Sequence, residues 1–149
     1  MSVLNSLGLV VVGFNSDDLW HDFFTALDSS SVTPKHVVVV ENSAQAARSI
    51  PSSKNYGIRT IHLPHNPGYG SAANAGISAL SDDVSWVVIA NADTIVGPDA
   101  IKNLLDAKND FPKTGVLGPA VITSSGDVYP SARAIPGVRI GIGHALFGV

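Results

Sequence analysis

The sequence predicts an α/β fold of three layers, α/β/α, around a mostly parallel sheet. Three observations predict it. Short runs rich in β-branched residues alternate with segments of helical period. Those runs are apolar almost throughout, as strands covered on both faces are. The residues just past their carboxyl ends are small or polar, as expected where an open parallel sheet binds ligands. The chain has 149 residues and a hydrophobic fraction of 45%, which suits one domain, residues 1–149, with one core.

Each element can be justified in turn. Leu7–Phe14 (LGLVVVGF) reads as a buried strand. Ser16, Asp17 and Asp18 offer an N-cap and two acids for a helix over ~17–28, with Leu19, Trp20, Phe23, Phe24 and Leu27 at helical spacing and facing the core. His36–Val40 is a second strand, followed by a weak helix over Ala44–Ile50. Gly57–Leu63 is a third strand. It leads through His65-Asn66-Pro67-Gly68 into an alanine-rich helix over Ser71–Leu80. Val84–Ala90 is a fourth strand, and Pro98 suits the first turn of a helix over ~98–109. Gly115–Ile122 is a fifth strand, and Ser124-Ser125-Gly126-Asp127 is a turn. Ile135–Val149 is apolar and glycine-rich without a period, so it reads as an unfinished end available for a homo-oligomer contact.

Composition excludes several function classes. Net charge is −3 and no cluster of Lys and Arg forms a nucleic-acid footprint. Cysteine is absent, which removes disulfides, thiolate zinc sites and cysteine nucleophiles. The first Lys or Arg is Lys35, which argues against a secretory leader. No apolar run approaches the ~18 residues of a transmembrane helix. A cytoplasmic protein, or one peripheral at an inner membrane, is expected. The histidines form no zinc pattern, and neither a nucleophile elbow nor a phosphate-loop signature is present.

The strand exits hold the chemistry. Asn91-Ala92-Asp93 delivers an amide and a carboxylate to the rim after the fourth strand. Asp93 suits Mg²⁺ or Mn²⁺, which prefer oxygen ligands and often share them with substrate phosphates; its bland alternative is a turn cap. Glu41 can accept hydrogen bonds from a base or ribose, or be a solvated loop acid. Asn15 is a turn residue or a nucleotide contact. Gly68–Ala73 (GYGSAA) matches G-x-G-x-x-A and raises a nicotinamide-cofactor reading. The motif follows the third strand, however, where the first strand-to-helix turn is the usual place.

Taken in order, these segments resemble family 2 glycosyltransferases of the GT-A fold, especially the rhamnosyltransferase-like branch. Val10–Ser16 resembles the opening strand with its terminal aromatic-Asn. Val38–Ser43 resembles the Val-Asp-Asn-x-Ser signature, with Glu41 in the aspartate's place. Asn66–Ile77 resembles the Asn-x-Gly-aromatic segment, Asn91-Ala92-Asp93 the metal motif, and Gly118–Arg133 the following strand and its arginine. The resemblance implies transfer of a sugar from a nucleotide-diphosphate sugar to a hydroxyl of a sugar or lipid-linked acceptor, assisted by Mg²⁺ or Mn²⁺. It implies metal at Asp93, and donor nucleotide binding at Gly13, Asn15, Glu41, Asn66, Gly68, Gly70, Asn74 and Asn91. No residue is nominated as the catalytic base. The alternative on the same fold is a non-catalytic nucleotide-sugar-binding or assembly module.

Overall fold

A computed structural model describes residues 7–131, which fall in two units, Met1–Thr114 and Gly115–Val149. The expectations placed on Arg133 and on residues 135–149 lie outside the described residues.

The first unit is an α/β/α sandwich. Its elements run β1 (Leu7–Gly13), α1 (Trp20–Asp28), β2 (His36–Glu41), β3 (Gly57–His62), α2 (Tyr69–Ser78), β4 (Trp86–Asn91) and α3 (Ala100–Asp110). All three strand pairings are parallel, and the sheet order is β3-β2-β1-β4. Val10 lies in register with Val38 on one side and Ile89 on the other. Beyond β3 the chain therefore returns to the opposite side of β1. The exits of β1 and β4 thus flank a topological switch point, where open α/β sheets bind ligands.

The pleat divides the two inner strands cleanly. Leu7, Leu9, Val11, Val37 and Val39 face α1 and α3, whereas Val10, Val12, Val38 and Val40 face α2. On the first face Trp20, Phe23, Phe24 and Leu27 of α1 fill the space, with Ile101 of α3. On the second, Ala72 and Ala73 of α2 lie directly on the valines. Gly76 permits that contact. A Cβ there would collide with Val10 Cγ1 and stand 3.0 Å from Val40 Cγ2.

Several expectations need correction. Residues 44–50 form no helix. The Ser43 hydroxyl shares its one hydrogen between Glu41 Oε1 at 2.7 Å and the Gln45 carbonyl at 2.9 Å, and the Arg48 N–H donates to Asp17 Oδ1 at 2.7 Å. Side chains thus take the backbone groups a helix would use, and Pro51 disfavours helical geometry just before it. Ser16 is not an N-cap. Helix α1 starts at Trp20, and the Ser16 hydroxyl accepts the Phe14 N–H at 2.8 Å. The fourth strand is only partly buried: Ile89 is 46% exposed on the edge of the four-stranded sheet.

In the second unit, the strand expected over 115–122 shrinks to β5 (Val121–Ile122). It pairs antiparallel with β6 (Val128–Tyr129) and does not extend the parallel sheet. Pro119 has no N–H for a ladder, which confines it to edges and strand ends. The turn at 124–127 closes the hairpin: Gly126 N–H donates to the Thr123 carbonyl, and Gly126 takes a φ of 89°.

Candidate functional site

Four strand exits line one cleft of about 370 Å³. Gly13 and Phe14 come from β1, Asn42 from β2, Asn66 and Tyr69 from the β3–α2 connection, and Asn91, Ala92 and Asp93 from β4. Backbone bonds continue past the strands and hold the rim in register. Asn42 N–H donates to the Gly13 carbonyl at 2.8 Å, Ala92 N–H to Val12 at 3.1 Å, and Leu63 N–H to Glu41 at 2.9 Å. Gly13 must be glycine for packing as well: a Cβ would stand 2.5 Å from the Trp20 ring.

A second hollow of about 330 Å³ adjoins it, with Ser16 common to both linings. Glu41, Asn15, Asp17, Ser43 and Arg48 line it. Glu41 ends β2 and is 1% exposed. Its Oε1 accepts the Asn15 N–H at 2.9 Å and the Ser43 hydroxyl at 2.7 Å, while its Oε2 is buried without a partner. The bond to Asn15 fastens a strained turn, since Asn15 has a φ of 53°. Asn66, with a φ of 43°, is a second strained rim residue, held by Asn42 Nδ2 donating to its Oδ1 at 2.8 Å. Non-glycine residues in this region are strained, and such strain tends to gather at ligand sites.

Electrostatics follow from these contacts. The Arg48 N–H on Asp17 holds that carboxyl below its ordinary 3.8; desolvation opposes it, and the Arg48 guanidinium aids it. Burial, and then the charge of Asp93, push the Tyr69 phenol above its ordinary value. Tyr69 and Asp93 thus face the same space.

Of the expected donor-site residues, Gly13, Asn66, Asn91 and Asp93 line the first cleft, and Asn15 and Glu41 line the second hollow. Gly68 precedes α2 with a φ of 93°, and Gly70 and Asn74 lie on α2; none of the three lines either space. Phe14, Ser16, Asn42 and Tyr69 also line the first cleft; all four lie in the segments that carry the family resemblance, but it assigns none of them to donor binding. Asn42 carried one signal in its position beside Glu41 at a strand exit. Among the described residues no three His, Asp or Glu side chains gather as a metal set. Asp93 and the Asn91 amide are the oxygen donors of the β4 rim. That small set suits a hard cation completed by phosphate oxygens and water.

The whole arrangement is that of a nucleotide-diphospho-sugar transferase fold, GT-A, with a cleft at the switch point. The model of glycosyl transferase family 2 matches residues 9–136, and the chain belongs to that family. It is 31% identical over 152 residues to an N-acetylglucosaminyl-diphospho-decaprenol L-rhamnosyltransferase of Mycobacterium tuberculosis, covering 95% of this chain and 50% of that protein. It is 32% identical over 99 residues to the succinoglycan biosynthesis protein ExoO of Rhizobium meliloti, covering 65% of this chain and 28% of that protein. The chain thus spans about half the length, or less, of these relatives. Among solved structures, S. aureus TarS 1-349 shares the fold, with a TM-score of 0.55 and 16% identity over 80% of this chain and 39% of that one. Family membership removes the ground for the nicotinamide reading. The Gly68–Ala73 run opens α2, not the first strand-to-helix turn. Among the described residues no helix is long and apolar enough to cross a membrane.

Proposed function

We propose that this chain binds the nucleotide-diphosphate sugar of a glycosyl transfer reaction, in which the sugar passes to an acceptor hydroxyl. The convergence of four strand exits on one cleft at the switch point, with Asp93 as its carboxylate, carries the reading. The base occupies the hollow of Glu41 and Asn15, and the diphosphate and sugar extend past Ser16 into the cleft bounded by Asn91 and Asp93. Mg²⁺ or Mn²⁺ at Asp93 would neutralise charge developing on the leaving diphosphate. The chain's own contribution is orientation. Partly buried bonds from the Asn15 N–H to Glu41 and from Asn42 to Asn66 keep the rim in one shape, so that little ordering remains for the binding step. The mycobacterial relative's name specifies a lipid-linked diphospho-sugar. We take an acceptor of that class as the substrate here, with the chain working at the cytoplasmic face of a membrane.

A thermal-shift panel of UDP-, dTDP- and GDP-sugars, each with and without Mg²⁺ or Mn²⁺, tests this. A donor at 100 times its Kd stabilises by about 2.7 kcal/mol, on the order of 10 °C for a domain of this size. Asp93→Ala is expected to abolish the metal-dependent part of that rise. No shift with any donor would overturn the reading, and a metal-dependent rise undiminished in Asp93→Ala would overturn the metal assignment.

A further inference from the structure

Two amides and one backbone N–H determine which way Asn42 faces. Gly68 N–H donates to Asn66 Oδ1 at 3.3 Å, which identifies that atom as the oxygen. Asn42 Nδ2 donates to the same oxygen at 2.8 Å. The other amide atom of Asn42, Oδ1, must then be an acceptor. It is buried and has no partner, in a residue only 4% exposed that lines the cleft. Buried acceptors in folded proteins are nearly always matched with a donor, and an exception calls for an explanation. The fold supplies none, since the Asn42 backbone is already bonded to Gly13.

We infer that Asn42 Oδ1 is a specificity-determining acceptor that takes the hydrogen of a hydroxyl on the bound nucleotide sugar. The inference rests on the donor-binding reading above. An amide oxygen offers a diphosphate nothing, because both are acceptors. Asp93, in the same cleft, is acceptor-only when ionised. The hydrogen-bond donors that a nucleotide sugar brings past Ser16 are its ribose and sugar hydroxyls. Oδ1 is out of water's reach in the free chain, so entry requires a side chain to turn aside. Phe14 and Tyr69, both about half exposed, line the same cleft.

The test is a cycle that crosses protein and ligand changes, read by titration calorimetry. The probes are whichever UDP-, dTDP- or GDP-sugar binds in the panel, its nucleoside diphosphate without the sugar, and analogues lacking single ribose or sugar hydroxyls. Asn42→Ala is expected to weaken the full donor about five- to tenfold, the worth of one hydrogen bond. For one deoxy analogue the variant's loss is expected to be about five- to tenfold smaller than for the full donor, whatever loss common to all ligands follows from removing the Asn42–Asn66 bond. If that analogue lacks a ribose hydroxyl, the ribose is the source; if the variant's loss shrinks by that factor with the bare diphosphate, the transferred sugar is. Wild type alone must also discriminate against that analogue by the same factor, which keeps the test valid should the variant fold poorly. A loss equal for every ligand would show that Asn42 merely supports Asn66, and would overturn the inference while leaving the donor-binding reading intact. Equal binding of all analogues by wild type would do the same. No binding of any nucleotide sugar would overturn both.

Discussion

The two faces of the sheet are packed by opposite means. Against α1 the odd-numbered residues of β1 and β2 meet large rings: Phe23 sits edge-on to Phe24 at 5.4 Å, and Phe24 stacks on Tyr56 at 6.3 Å. Against α2 the even-numbered valines meet alanines and Gly76. Bulk holds α1 away from the sheet, and its absence lets α2 lie close. The distance matters because the connection that opens α2 supplies Asn66 and Tyr69 to the cleft. The aromatic face thus serves mainly stability, whereas the small-residue face sets where one wall of the site stands.

The largest effect is expected on the aromatic face. Phe23 is 0% exposed, so Phe23→Ala is expected to cost about 3–5 kcal/mol, the usual range for emptying a buried ring. Urea unfolding measures this, and donor affinity of the fraction that remains folded should hardly change. A large affinity loss in the folded fraction would break the division of labour between the faces.

On the other face, Gly76→Ala sets two effects against each other. The helix gains about 1 kcal/mol of intrinsic propensity, but the new methyl meets Val10 and Val40, both buried in the sheet. Overpacking typically costs about 1–3 kcal/mol, so a net loss on the order of 1 kcal/mol is expected. Because α2 must move outward to relieve the clash, donor affinity should fall as well. Adding Val10→Ala should restore part of both, since the methyl then fills space that Val10 vacates, and the two changes should be clearly non-additive. Strict additivity in urea midpoints would show that close approach at Gly76 does not fix the position of α2.

The same contrast explains what was legible in the sequence. Trp20, Phe23, Phe24 and Leu27 announce their face through helical spacing, and the valine runs of β1 and β2 announce strands buried on both sides. Local pattern failed where side chains take over backbone bonds. Residues 44–50 resemble a weak helix, yet Ser43 and Asp17 hold them in an irregular path, and Asp17 is far away in sequence. Pattern failed again at Val121, where a two-residue hairpin strand takes the place of a fifth parallel strand. In the site, the exits could be named from the sequence, but their partition could not. Glu41 and Asn42 are neighbours that line different spaces, a consequence of side chains alternating about a strand end. Phe14 could be read as the last residue of a buried strand; it is 58% exposed and lines the cleft.

The smallest effect concerns a stretch of the aromatic face covered by an irregular connection instead of a helix. Ala47 and Ile50 pack against that core from the irregular β2–β3 connection, and the Arg48 N–H and guanidinium bind the two oxygens of Asp17 at 2.7 and 3.2 Å. The folded carboxyl is held below 3.8, so it favours the folded state most fully above that value, and this contribution fades as pH falls through the lowered one. Asp17→Asn should therefore lower the urea midpoint slightly and uniformly near neutral pH, and the gap from wild type should close as pH drops below 3.8. Urea titrations from about pH 2 to pH 7 follow this linkage. A gap that widened in acid would mean that Asp17 is not what ties the connection down. In that case Ala47 and Ile50 alone would hold it, and the aromatic face would need no polar strap.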